Sequence, residues 1–128
     1  MNSIYRLLIF IPFFVLLESC YAPEQNCQDF QQGVFEFEAL VEGELKKTRF
    51  VRKKDIEIEY YEGKADTASI RWINDCEYIL KNINPENRDA KNAMHFKILT
   101  TKNNQYTFEY SLVGSDNKQK GTAYKVEE

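Results

Sequence analysis

The residues of this chain that could do chemistry are few. Two alternating segments each carry a pair of glutamates two positions apart, and the chain has three cysteines and a single histidine. The glutamate pairs are Glu36/Glu38 and Glu57/Glu59. Alternate residues of a strand project from one face, so each pair could hold a cation or act as two carboxylates in a hydrolytic site. Such pairs are also what the solvent face of a strand carries, and we expect that simpler role for both.

The single histidine, His95, falls on the polar side of the alternating segment MHFKILTT. We expect it to be exposed or at a rim. One histidine without a second ligand at matched spacing does not make a zinc site. The sequence also contains no glycine-rich phosphate loop, nucleophile elbow or calcium loop. We therefore predict no catalytic residue, no metal site and no cofactor, and interpret the chain as a non-enzyme.

The N-terminal segment MNSIYRLLIFIPFFVLLESC has the pattern of a secretory signal peptide. Arg6 is the only charge before the apolar run 7–17, which is too short to span a bilayer as a helix. The letters LESC resemble the lipobox of bacterial lipoproteins, with Ser19 small as required and Glu18 a departure. The resemblance implies cleavage before Cys20 and acylation of that cysteine, which would anchor the chain to a membrane.

Two alternatives remain for this segment. The chain could be an ordinary secreted protein with Cys20 in a disulfide, or the segment could be a transmembrane anchor, which Pro12 disfavours. The preferred division is a signal peptide over 1–19, a lipidated tether over 20–32 and one domain over 33–128. We expect the protein in the cell envelope, on the outer membrane in preference to the inner one and facing either the periplasm or the outside.

An acylated Cys20 leaves two thiols. Cys27 and Cys76 are then the remaining intramolecular pair, in a compartment that tolerates disulfides. Free, buried thiols are the alternative. The net charge of −3 argues against nucleic acid as a partner, and the locally basic stretch KKTRFVRKK is expected to be a solvated face.

Beyond Gly33 apolar and polar residues alternate almost everywhere, as in antiparallel strands with one buried face. The alternating segments are VFEFEALV, DIEIEYY, ASIRWI, CEYIL, MHFKILTT, YTFEYSL and TAYKVE, with TRFVR as a weaker strand. Turn signals such as EGEL, EGKAD and KNNQ separate them. The pattern predicts an all-β fold, an up-and-down meander of about eight strands curled into a small lipocalin-like barrel or sandwich.

One stretch breaks the alternation. Asn84 is placed as an N-cap and Pro85 at a first helical position, which predicts a short helix over 85–92.

The aromatic residues are concentrated on the faces expected to point inward. Such a barrel either fills with side chains or leaves room for one small ligand. A packed core is the simpler expectation, and an apolar pocket at one mouth is the functional alternative. The residues that would line it are Phe35, Phe37, Tyr60, Trp72, Tyr78, Phe96, Phe108, Tyr110 and Tyr124.

The lipobox, NCQDFQQGVFEFE, SIRWINDCEYIL, FKILTTKNNQYTFEYSLVGS and KGTAYKV together resemble a family of short lipoproteins of the Bacteroidota envelope. The resemblance covers nearly the whole chain, includes Cys27 and Cys76, and implies no activity. Members are often given the name DNA topoisomerase IV. This sequence does not support it, because no tyrosine follows an arginine and the chain is far too short.

The opening GVFEFE also resembles the G-x-W opening of lipocalin-like barrels, with Phe35 in the place of tryptophan. We therefore expect an envelope lipoprotein, held at the membrane by its lipid, with a non-enzymatic role in binding a small apolar ligand or a protein partner. The alternative is a structural or assembly component that docks an envelope complex through its sheet face or edge.

Overall fold

The computed structural model describes residues 22–85 and 91–128, and their main feature is a closed barrel of eight antiparallel strands, each paired with its sequence neighbours. Strand β8 pairs with β1 through residues 34–37 of β1 and closes the sheet. The strands are β1 (Gly33–Val41), β2 (Glu44–Arg52), β3 (Ile56–Tyr61), β4 (Lys64–Asn74), β5 (Glu77–Asn82), β6 (Met94–Lys102), β7 (Gln105–Leu112) and β8 (Gln119–Glu127). The predicted all-β meander is confirmed, as a barrel.

Several predictions of the N-terminal and central segments lie outside the described residues. The signal peptide, Cys20 and most of the predicted helix over 85–92 are among them, because residues 1–21 and 86–90 are not described. In the two described ranges, no helix has the length and apolar character needed to cross a membrane.

Tight hairpin turns explain how short connections close the meander. Glu62 and Gly63 join β3 to β4, and both have positive φ, 48° and 77°. Two consecutive positive φ values match the twist of a two-residue hairpin, and glycine adopts them without steric cost. The β1–β2, β3–β4 and β7–β8 turns lie at one end of the barrel, together with the end of β5 and the start of β6, and we call this end the mouth. The other three lie at the opposite, closed end.

The closed end is covered by the N-terminal lead. A 3₁₀ helix, Cys27–Phe30, packs there, with Cys27 and Phe30 each 2% exposed. Cys27 forms a disulfide with Cys76 beside the β4–β5 turn, which confirms the predicted pair. Within the predicted tether over 20–32, the helix Cys27–Phe30 therefore forms a plug, which the disulfide and the burial of Phe30 hold in place.

Backbone contacts begin even before this helix. The amide of Thr101 donates to the carbonyl of Glu24 at 2.8 Å, and the amide of Asn26 donates to the Thr101 hydroxyl at 2.8 Å.

Stacked aromatic rings fill the lower part of the barrel. Phe35 stacks on Phe50 with centroids 5.0 Å apart, and Tyr78 stacks on Phe96 at 5.1 Å. Phe30 of the plug meets Tyr106 edge-on at 5.2 Å. These offset and edge-on contacts add to the free energy gained from burial alone.

Two strands present the face opposite to the one predicted. In β3, Glu57 is buried and Tyr60 is 45% exposed. In β8, Ala123 is buried while Tyr124 is 45% exposed. The reason in β8 is space, since a Cβ on Gly121 would lie 2.7 Å from the Phe108 ring, so only small residues fit inward there. The reason in β3 is the partner of Glu57, described below.

Candidate functional site

A cavity of about 410 Å³ opens at the mouth and reaches into the barrel. Five of the predicted lining residues do line it: Phe37, Tyr78, Phe96, Phe108 and Tyr110. They stand on β1, β5, β6 and β7, so the alternation of those strands brings them to one space. Met94, Leu80 and Ala68 complete its apolar wall.

The other four predicted residues lie elsewhere. Phe35 is fully buried in the aromatic core below the cavity, and Trp72 packs against Tyr78 with ring centroids 4.6 Å apart. Tyr60 and Tyr124 were wrongly placed inside. Their strands turn these side chains outward, for the reasons given above.

The floor of the cavity is a buried ion pair. The Nε atom of Arg52 donates to the Glu57 carboxylate at 2.9 Å. One terminal nitrogen donates to the carbonyl of Phe30 at 2.7 Å. The other donates to the hydroxyls of Tyr78 at 2.7 Å and Tyr106 at 3.3 Å. Arginine suits this place because its planar fork can bond several acceptors at once.

Aromatic faces surround the same guanidinium. Its central carbon lies 4.6 Å from the ring centroid of Tyr78, 5.0 Å from that of Phe35 and 5.2 Å from that of Phe50. Cation–π attraction of this kind gains strength where water is excluded. The basic stretch expected to be a solvated face thus contributes the most deeply buried charge among the described residues.

Burial controls protonation on this floor. It is the largest influence on Arg52 and lowers its pKa, but the fields of Tyr106, Tyr78 and Glu57 outweigh it, so the pKa is raised overall. Burial raises the pKa of Tyr78 well above its ordinary value, and raises that of Tyr106, against the opposing field of Arg52. Both phenols therefore stay neutral while Arg52 stays charged.

Acidic side chains form the wall at the mouth. Glu59 on β3 and Asp66 on β4 are directly opposed partners in the sheet, and both line the cavity. Burial, and then the charges of Glu57 and Asp66, raise the pKa of Glu59. Of the glutamate pair Glu57/Glu59, expected on a solvent face, Glu57 is buried inside the barrel. Glu59 lines the mouth of the cavity and stays exposed to solvent.

The other candidate residues do not converge on this cavity. Glu36 and Glu38 lie outside near Lys47, at 3.5 and 3.9 Å. His95 is half-buried, with Nε2 3.0 Å from the Glu77 carboxylate. Burial acts to raise the pKa of Glu77, but bonds from His95 and Asn74 and the charge of Lys97 lower it overall.

A larger depression of about 660 Å³ lies at the closed end, between the 3₁₀ helix and the end of β8. Its walls are mostly polar, with Gln28, Gln31, Asn103 and Lys125 among them. It has no aromatic lining to exclude water, apart from Phe30. We therefore take the smaller cavity inside the barrel as the candidate site.

Sequence reasoning missed Arg52 and Glu57 as the floor of the site. The signal was present in part, because Arg52 stands two positions after Phe50, on the same face of β2. Since Phe50 points inward, Arg52 should point inward too, and a buried basic residue needs a carboxylate partner. Glu57 is the cross-strand neighbour of Arg52.

Comparison of the chain with protein family models, with curated proteins and with solved structures gave no match. The geometry of this barrel is therefore the basis on which a function is proposed.

Proposed function

We propose that this protein is a membrane-anchored lipoprotein of the bacterial envelope whose barrel binds one small apolar ligand without chemical change. The observation that carries the binding role is the cavity of about 410 Å³ with aromatic walls. Ligand sites are concave, mostly apolar and roughly 300–1,000 Å³ in volume, with a few oriented polar groups. An eight-stranded barrel is about wide enough for one such ligand.

The disulfide supports the location. A bond between Cys27 and Cys76 persists in an oxidising compartment, as the envelope is and the cytosol is not. Within the proposal Cys20 carries the lipid, and the envelope family resemblance supplies the same expectation.

Closure of the sheet weakens the competing assembly role. Each of the eight strands is paired on both sides, so the described residues leave no whole strand as a free edge for another chain. A sheet face remains for docking, but the cavity favours a small ligand.

The binding test uses a filled cavity and a matched control. Ala68 lines the cavity and Ala65, on the same strand, is exposed. N-phenyl-1-naphthylamine is a neutral apolar probe whose fluorescence should increase on binding. Ala68→Phe should abolish this increase, while Ala65→Phe should leave the increase unchanged. No increase with the unchanged protein, or equal binding by both variants, would contradict the proposed function.

The anchor is tested separately. Cys20→Ala should prevent labelling by radioactive palmitate and move the protein from the membrane fraction to the soluble fraction. Persistent membrane association of that variant would contradict the proposed lipid anchor. Density separation of inner and outer membranes then tests the preference for the outer one.

A further inference from the structure

The charges that line the cavity do not balance. Arg52 is the single basic residue of the described lining, and it is committed to Glu57, Phe30 and the two tyrosine hydroxyls. Two further acids, Glu59 and Asp66, line the same space closer to the mouth. The cavity is therefore apolar in its walls and negative at its entrance.

The two acids at the entrance oppose each other across the β3–β4 pair. Like charges directly opposite in a sheet destabilise it. Within residues 22–85 and 91–128 neither acid has a basic side chain within ion-pair distance, whereas Lys47 lies close to Glu36 and Lys46 to Glu62 on the outside of the barrel. Among the described residues, several acids of the outer wall therefore have a basic partner, and Glu59 and Asp66 have none.

Aromatic rings face the same space from the other strands. Phe96 stacks on Tyr110 at 5.5 Å, and Phe37 meets Phe108 edge-on at 6.3 Å. Such rings bind an apolar body, and their faces also attract a cation.

We propose that the ligand is an amphiphilic cation, with an apolar or aromatic body against Phe96 and Phe108 and a protonated amine between Glu59 and Asp66. This assignment rests on the proposed function, since it gives a chemical class to the ligand of the same cavity. The positive charge of the ligand offsets the repulsion between the two carboxylates, so the two acids discriminate against neutral and anionic compounds of the same shape.

The test compares three probes that share a naphthyl body and carry a cationic, a neutral or an anionic head group: 2-(2-naphthyl)ethylamine, 2-(2-naphthyl)ethanol and the carboxylate of (2-naphthyl)acetic acid. Binding to the exported, acylated protein in nanodiscs is measured by isothermal titration calorimetry, with empty nanodiscs as the baseline. The amine should bind about tenfold more tightly than the alcohol, as expected for one charge-assisted hydrogen bond. The carboxylate should bind most weakly.

Two double variants assign the preference to the entrance. Glu59→Gln with Asp66→Asn should bring the amine and the alcohol to within about twofold, with the alcohol unchanged. Glu38→Gln with Asp55→Asn removes the same charge from exposed positions outside the cavity and should keep the tenfold preference. Thermal unfolding followed by circular dichroism verifies that both variants fold.

The outcomes separate the two proposals. If the alcohol binds and the amine binds no better, or if the entrance variant keeps the preference, the cationic ligand is overturned and the apolar cavity stands. If none of the three binds, both proposals are overturned.

Discussion

Arg52 and Glu57 are cross-strand neighbours whose side chains meet inside the barrel, with Nε and Oε2 2.9 Å apart. The Arg52 side chain has 0% exposure and that of Glu57 has 9%. Removing two charges from water is costly, and a buried pair persists only where further bonds satisfy it. Here the plug and two tyrosines supply those bonds, so one side chain ties β2 to β3, β5, β7 and the N-terminal lead.

Replacement of this arginine should be among the most damaging single changes. Arg52→Met leaves Glu57 buried without its partner, which we expect to lower the free energy of unfolding by about 3–5 kcal/mol. Urea unfolding measures it. Arg49→Met, on a half-exposed side chain of the same strand, is the control and should stay within about 0.5 kcal/mol. Similar small losses of unfolding free energy in both variants would contradict the role of Arg52 in linking these strands.

Removal of the disulfide should also be costly. Cys27 and Cys76 are separated by 49 positions, and the chain-entropy model gives about 4 kcal/mol for a loop of that size. Cys27→Ser with Cys76→Ser should lose that amount in urea unfolding. Reduction of the unchanged protein should give the same loss, and a protein indifferent to both treatments would show that the plug is held by packing alone.

Contact between Gly121 and Phe108 predicts a steric effect. Gly121→Ala places a methyl group 2.7 Å from Cζ of Phe108, which we expect to cost about 1–3 kcal/mol. Thr122→Ala, the adjacent position, is the control. In combination with Phe108→Leu the loss should be smaller than the sum of the two single losses, and strict additivity would argue against a direct clash.

The protonation of Glu59 gives a prediction on pH. Its pKa is raised in the folded chain, so the fold prefers its neutral form, and the stability from this group is present at low pH and lost as the pH rises through that pKa. Glu59→Gln should therefore raise the free energy of unfolding at pH 7, by about 0.2–1 kcal/mol.

That gain should disappear below pH 4.5, the ordinary value for glutamate, because both proteins then carry a neutral side chain. Urea unfolding at several pH values measures it. Glu38→Gln, whose carboxylate lies 3.9 Å from Lys47, should show no such gain at pH 7. A loss of stability in Glu59→Gln at neutral pH would contradict the assigned environment.

Much of the fold could be predicted from alternation alone. The turn residues in the sequence predicted the positions of the hairpins. The strict alternation in β1, β4, β5, β6 and β7 predicted most of the residues that line the cavity. These strands carry apolar residues inward, so hydropathy and geometry agree. The cysteine pair followed from the same sequence, through the expected compartment.

The two wrong faces have different physical origins. In β3 the buried Arg52 requires a carboxylate nearby, so Glu57 points into the barrel. The apolar face of that strand therefore points away from the interior; it carries Ile56, Ile58 and Tyr60. In β8 the Phe108 ring of β7 occupies the space inside the barrel beside Gly121, so a large side chain does not fit inward there. In both strands the orientation depends on side chains of a neighbouring strand. The hydropathy pattern of a single strand carries no information about those side chains.

The short lead between Cys20 and the barrel has a consequence for orientation. With a lipid on Cys20, as proposed, the membrane anchor lies only four positions before Glu24, whose carbonyl accepts from the amide of Thr101. Four residues reach about 14 Å at most. The plugged end would therefore rest against the bilayer and the mouth would face away from it, so that ligands enter from the aqueous side and not laterally from the lipid. A fluorophore at Asn103 should then be quenched by spin-labelled lipid headgroups while one at Glu62 is not.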